Sequence, residues 1–256
     1  MLSPYLFNVY VDRISNSLNE LNIGCNIDSF LLNHLFYADD LCIFAPSTRG
    51  LQLLIDMCVK IGTELDICFN AAKCNVMFFR CKYLKDCAVP NFYMGNILLS
   101  ECDSFLYLGH FLTSDGTDDL DIKRQFKAIY ARGNSLIRKF HMCSNYVKSL
   151  SFNSYCSSMY TCHLWRSYKQ ATFRKLNVAF HCSFKQFLNV SRYESNSLIF
   201  STNRVNTCPE VIRKSIFSFY CRIVVNANEI ISRITHSDHF RSSPLFLHWQ
   251  KMLFPD

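Results

Sequence analysis

Two adjacent carboxylates, Asp39 and Asp40, follow Phe36-Tyr37-Ala38 and lie between apolar segments, Leu35 to Ala38 before them and Leu41 to Ala45 after. This pattern predicts a buried hairpin with both acids at its tip. Side chains alternate faces along a strand, so neighbouring aspartates converge only if a tight turn bends the chain between the strands, and Asp-Asp suits such a turn. An unpaired carboxylate in a core costs several kcal/mol or takes up a proton. Its natural partner is a hard divalent cation. Mg²⁺ prefers oxygen ligands and keeps part of its water shell, and two such ions roughly 4 Å apart can clamp a phosphoryl transfer. The same two residues equally suit a plain surface turn, and alone they do not choose between these readings.

The elements that must position the acids are mixed α and β. Pro4 to Leu18 is helical, Leu51, Leu54, Cys58, Ile61 and Leu65 trace one helix face, and Val76 to Phe79 and Leu106 to Thr113 are strand-like. Ser114-Asp115-Gly116-Thr117 is turn-rich and suits a helix start at Asp118 or Asp119. Charge changes sign there: residues 1 to 119 carry −7 and residues 120 to 256 carry +14, which together make the net +7. The basic half predicts helices. Ile122, Phe126, Ile129, Leu136, Ile137 and Phe140 form a buried stripe, and Lys123, Arg124, Lys127, Arg132, Arg138 and Lys139 fall largely off it. A second helical region runs from Ser151 to Lys169 and a third from Glu210 to Arg233. Basic side chains arrayed on helices suit nucleic-acid phosphates, bound without reading sequence; a solvated basic face is the plain alternative.

Composition excludes several classes. A chain of 256 residues, half apolar, buries roughly 70–75% of its unfolded surface, enough for one large domain or two small ones. With 23 Phe against 7 Gly it is neither disordered nor repetitive. Its longest uncharged run, Ser149 to Trp165, is too polar for a membrane span, and no signal peptide is expected. The 14 cysteines include no Cys-x-x-Cys, and Cys42, Cys58 and Cys74 sit in apolar segments as small hydrophobes. Cys156, Cys162 and His163 lack a fourth ligand for zinc. Reduced thiols in an intracellular protein, nuclear or cytoplasmic, is the economical expectation.

Tyr37-Ala38-Asp39-Asp40 between apolar strands resembles the palm active site of reverse transcriptases, and its surroundings resemble those of LINE-type retrotransposons, which lack long terminal repeats. Leu2-Ser3-Pro4-Tyr5-Leu6-Phe7-Asn8-Val9-Tyr10-Val11-Asp12 resembles the segment before their Asp-Asp hairpin. Asn70 with Lys73-Cys74 resembles their lysine motif, and Phe105-Leu106-Tyr107-Leu108-Gly109-His110 their primer-grip hairpin. The four motifs keep the family's order over about residues 1 to 165.

The resemblance implies an α+β fold, with a partial right-hand palm over residues 1–117 followed by a basic, mainly helical thumb and C-terminal region over 118–256. It implies template-directed nucleotidyl transfer with Mg²⁺, or Mn²⁺ in its place, on an RNA template, a DNA primer and deoxynucleotides, with no membrane partner. Asp39 and Asp40 would hold metal, and Lys73 would meet the departing pyrophosphate. Tyr37 and Ala38 would line the primer terminus, Leu108, Gly109 and His110 the primer grip. Leu2, Ser3 and Pro4 would begin a helix beside template and nucleotide, and Lys123, Arg124, Lys127, Arg132, Arg138 and Lys139 would follow the duplex. The family's fingers and first catalytic aspartate precede Leu-Ser-Pro, whereas Met1 stands there in this sequence. The resemblance places Asp12 on a helix away from the metals. Two carboxylates against the four charges of two Mg²⁺ predict a chain inactive without a further polymerase segment. A noncatalytic retrotransposon remnant that binds nucleic acid nonspecifically is the alternative. A metal-dependent phosphatase would leave the Leu-Ser-Pro and primer-grip segments unexplained.

Overall fold

A computed structural model describes residues 3–27, 30–79 and 90–254, and the fold is α+β. The first elements are α1 (Ser3–Glu20), β1 (Cys25–Ile27), β2 (Phe30–Leu32), β3 (His34–Tyr37), β4 (Asp40–Ile43) and α2 (Thr48–Glu64). Four two-residue strands follow: β5 (Asn75–Val76), β6 (Tyr93–Met94), β7 (Ile97–Leu98) and β8 (Ser100–Glu101). Then come β9 (Ser104–Tyr107), β10 (His110–Thr113), α3 (Asp119–Phe140), α4 (Asn145–Tyr155), α5 (Gln170–Leu188), α6 (Asn196–Thr202) and α7 (Cys208–Val224). The last helices are α8 (Glu229–His236), α9 (Asp238–Arg241) and α10 (Pro244–Leu253). The chain divides into two compact units, Met1–Asp103 with Asn228–Ser237, and Ser104–Ala227 with Asp238–Asp256.

In the first unit α1 and α2 bury one seam, with Ile14 and Leu18 against Leu54, Cys58 and Ile61. The α2 spacing read from the sequence is thus the buried face. Ser47 starts that helix by accepting the Gly50 N–H at 3.1 Å. The Arg13–Glu64 ion pair and a hydrogen bond from the Tyr10 hydroxyl to the Leu65 carbonyl join the middle of α1 to the C-terminal end of α2. β3 and β4 pair antiparallel and press Phe36, Leu41 and Ile43 onto the same cluster. Two polar side chains tie the base of this hairpin to α1. The buried Asn33 donates to the Leu18 carbonyl at 2.8 Å, and the His34 ring lies 2.6 Å from the Ser15 hydroxyl and 2.7 Å from the Asn33 side-chain oxygen. Val76 to Phe79, read as strand-like, pairs only at Asn75–Val76, in parallel with Ser100–Glu101.

The second unit is helical apart from the β9–β10 hairpin. α3 begins where the acidic turn predicts and buries Ile122, Ile129 and Leu136. It approaches α5 closely at Gly133, where a Cβ would meet the Ser183 Cβ at 3.3 Å. Phe152, Phe180, Phe184 and Phe200 form an aromatic core, with the Phe152 and Phe184 rings 4.7 Å apart.

Two helical extents depart from the sequence reading. The region read as helical from Ser151 to Lys169 is helical from Asn145 to Tyr155; Thr161 then adopts φ +65°, and a single 3-10 turn occupies Cys162–Leu164. A distant carboxylate holds the far part of this region out of helix, since Asp118 accepts the backbone N–H groups of Arg166 at 2.7 Å and Ser167 at 2.9 Å. The helix read from Glu210 to Arg233 runs from Cys208 to Val224 and restarts at Glu229, where Asn228 caps the N–H groups of Ile230 and Ile231. Glu210 acts as the start signal of α7 by accepting the Thr207 N–H at 2.7 Å.

The described cysteines are free thiols. Burial pushes Cys58, Cys156 and Cys208 up to about 12 and Cys162 up to about 11, so they pack as hydrophobes. No described helix is long and apolar enough to cross a membrane.

Candidate functional site

The β3–β4 ladder sets the position of each hairpin residue. Tyr37 pairs with Asp40 and Phe36 with Leu41, so Ala38 and Asp39 form a two-residue turn. The turn is therefore Ala-Asp rather than Asp-Asp. Ala38, not Asp39, takes positive φ, +51°, so the sign pattern is that of a type II′ connection. By strand alternation Phe36 and Leu41 face the core cluster while Tyr37 and Asp40 share the opposite face. The expectation of a buried tip is corrected: Tyr37 is 63% exposed and Ala38, Asp39 and Asp40 are all exposed, because packing ends at Phe36 and Leu41. The acids are thus accessible and need no buried partner.

Lys73 ends a 3-10 turn, Ala71–Lys73, and is exposed; Asn70 starts that turn by accepting the Ala72 N–H at 3.1 Å. Asp12 is exposed on α1, where Asn16 donates to it at 3.3 Å. Ser3 and Pro4 open α1, and Leu2 lies outside the described residues. Among the described residues no group of three or more His, Cys, Asp or Glu is arranged to hold a metal ion. Asp39 and Asp40 can offer a divalent cation two carboxylates. They do not by themselves complete a two-ion site.

Leu108 and Gly109 are the turn of the β9–β10 hairpin, and both take positive φ, +46° and +78°. This is the sign pattern of a type I′ turn, whose twist matches the strands. Gly109 has a second constraint, since a Cβ there would stand 3.0 Å from the Tyr160 ring. Gly109→Ala is expected to cost about 1–3 kcal/mol through backbone strain and this contact. Denaturation followed by tryptophan fluorescence checks it, because Trp165 and Trp249, the chain's two tryptophans, are buried in the second unit. An unchanged midpoint would contradict it.

The His110 ring turns inward. It lies 3.3 Å from the Asp121 carboxylate and 3.0 Å from the Thr161 hydroxyl. Asp121 is fully buried yet saturated with donors: Trp165 Nε1 at 2.8 Å, Arg124 Nε at 2.8 Å, the Thr161 hydroxyl at 3.2 Å and the Phe111 N–H at 3.3 Å. Burial opposes its charge, and the bonds from His110, Trp165 and Arg124 outweigh burial, bringing the carboxyl down to about 2. The carboxylate thereby fastens the β9–β10 hairpin to α3. Sequence reading missed this cluster, although the Asp121–Arg124 spacing of three residues was visible.

The six basic residues read on α3 separate. Arg124 pairs with Asp121, and Arg132 donates to the carbonyls of Ser158 at 2.9 Å and Tyr155 at 3.4 Å. Lys123, Lys127, Arg138 and Lys139 are exposed. At about 100° per residue, Lys123, Lys127 and Arg138 fall within an arc of about 60°, and Lys139 stands about 100° beyond Arg138.

The family described as reverse transcriptase (RNA-dependent DNA polymerase) matches residues 1–112, a stretch that includes the Asp39–Asp40 hairpin and most of the β9–β10 hairpin. This part of the chain is similar to reverse transcriptases. It is also similar to the retrovirus-related Pol polyprotein of a type-2 retrotransposable element from Drosophila melanogaster, with 32% identity over 121 residues. That match takes in 45% of this chain and 11% of the polyprotein. A retrotransposable-element relative supports the LINE-type resemblance carried by the segment's motifs.

Proposed function

We propose that the chain is part of an RNA-directed DNA polymerase, contributing the metal-binding hairpin of a palm and a basic thumb that holds primer and template. The observation that carries this reading is the exposed Tyr37–Asp40 turn, two carboxylates held clear of the core within the reverse-transcriptase segment. Residues 1–117 correspond to the palm in this reading and 118–256 to the thumb and C-terminal region.

Asp39 and Asp40 are the ligands for Mg²⁺ or Mn²⁺, and Tyr37 and Ala38 are the surface against the primer terminus. Ala38 suits that place because its side chain is small. Lys73, exposed at the end of its turn, is the cation for the leaving pyrophosphate. Leu108 and Gly109 form the tip of the primer grip, while His110 holds that tip through Asp121 rather than reaching for the strand. Deoxynucleotides, an RNA template and a DNA primer are the substrates. Two carboxylates are too few for two ions, so the chain alone holds primer-template without extending it.

Four exposed cations on α3, Lys123, Lys127, Arg138 and Lys139, give a specific expectation for binding. Neutralising four phosphates makes affinity for an RNA–DNA primer-template fall about 10²-fold between 50 and 200 mM salt. Replacing Lys123, Lys127 and Arg138 by Ala flattens that dependence, whereas replacing the same number of exposed basic residues on the first unit does not. The measurement is equilibrium titration of labelled primer-template at several salt concentrations. Affinity independent of salt, or a slope unaltered by the triple substitution, would show that α3 is only a solvated basic face.

A further inference from the structure

α3 and α5 flank an open, shallow groove of 340 Å³ lined by Phe126, Tyr130, Arg174, Lys175 and Val178. We propose that this groove binds an unpaired nucleotide of a single strand, with the base on the Phe126–Tyr130 aromatic wall and the phosphate on Arg174 and Lys175. The inference rests on the chain being a nucleic-acid binder and adds a place for a strand that is not in duplex form.

Three properties of the groove favour that occupant. Its volume is near the lower end of the roughly 300–1,000 Å³ found for small-ligand sites, a size suited to one nucleotide. Its aromatic wall is fixed: the Phe126 and Tyr130 rings meet edge to face, 5.1 Å apart at 81°, with Tyr130 still 37% exposed. A base stacks on such a surface without regard to sequence, whereas in a duplex the bases are already stacked on one another. Val178, 57% exposed on α5, adds an apolar contact.

Charge identifies the rest of the ligand. Arg174 and Lys175 are both exposed, α5 carries no acid, and α3 carries none after Asp121, whose charge is taken up by its own partners. The α5 wall is therefore cationic and the aromatic α3 wall adds no acid, so an anion is the complementary guest. Tyr130 also continues the exposed face of α3 that bears Lys123 and Lys127, so a strand leaving the groove runs onto phosphate-binding cations without crossing an acid.

The test uses the full chain and two labelled probes, a short oligouridine and the same oligouridine annealed to DNA, titrated by fluorescence anisotropy at low salt. Tyr130→Ala is expected to weaken the single strand about 10-fold, from the loss of base stacking, and the hybrid by no more than about 2-fold. Tyr130→Phe keeps the ring and restores single-strand affinity. The paired substitution Arg174→Ala, Lys175→Ala removes two exposed side chains without touching the core and is expected to favour the hybrid over the single strand in the same sense. Tryptophan-fluorescence melts establish that each variant is folded. Equal weakening of both probes, failure of Tyr130→Phe to rescue, or indifference of the single strand to the Arg174 and Lys175 changes would overturn the inference. Binding of the hybrid alone would sink this inference and leave the proposed function standing, and binding of neither probe would sink both.

Discussion

Asp121→Ala is expected to destabilise the second unit by about 3–5 kcal/mol, the scale of removing one partner from a buried ion pair. The carboxylate receives Trp165, Arg124, Thr161 and the Phe111 backbone, and it faces the His110 ring. Its removal leaves the part-buried Arg124 guanidinium without its anion and several donors without acceptors. The hairpin that carries Leu108 and Gly109 also loses its tie to α3. Urea denaturation at neutral pH reads the change through the two buried tryptophans, both in this unit. Asp121→Asn preserves the shape but not the charge, and is expected to restore only a minor part of the loss. A shift below about 1 kcal/mol for Asp121→Ala would show that the cluster is ornamental, since removing one partner of a buried pair should cost several times that.

Acidification is expected to loosen the same unit well above the pH at which Asp121 protonates. His163 lies face to face with Phe219, ring centroids 4.1 Å apart, and its Nδ1 is 3.2 Å from the Ser215 hydroxyl. Burial, aided by the charges of Arg222 and His110, depresses its pKa from 6.5 to about 4. The unfolded chain therefore binds the proton first as pH falls. Stability held above pH 6.5 is lost progressively down to about pH 4, on the order of 3 kcal/mol at 1.36 kcal/mol per pH unit. His181 and His248 are depressed for the same leading cause and act in the same direction. Asp121 extends the loss: its carboxyl, lowered from 3.8 to about 2, contributes stability above pH 3.8 that disappears on descent through 2. Thermal melts between pH 7 and 4 should show a falling midpoint, with a shallower fall in His163→Phe, which keeps the stack on Phe219 but cannot take up a proton. A midpoint constant down to pH 4.5 would contradict the account.

The sequence carried the local features well. Apolar flanks around Asp39 and Asp40 announced β3 and β4, the spacing from Leu54 to Ile61 announced the buried face of α2, and the acids after Thr117 announced the start of α3. What escaped depends on partners far along the chain. The stretch after Leu164 is not helical because Asp118, nearly 50 residues before Arg166, takes the N–H groups of Arg166 and Ser167. The hairpin tip is exposed because the core cluster reaches along the hairpin only to Phe36 and Leu41. α5 was legible in principle, from Leu176, Ala179, Phe180, Ser183, Phe184 and Phe187 at helical spacing. Arg124 and Arg132 looked like surface cations in a pattern of charge, yet both are spent within the fold.

Primer extension on an RNA template in Mg²⁺ or Mn²⁺, with the purified chain beside Asp39→Asn, Asp40→Asn, shows whether the exposed pair of carboxylates holds a strand without copying it. Salt-sensitive binding of primer-template by both proteins is expected, and extension by neither. Extension by the unaltered chain that disappears in the double variant would contradict it, by showing that two carboxylates on an exposed turn suffice for the chemistry.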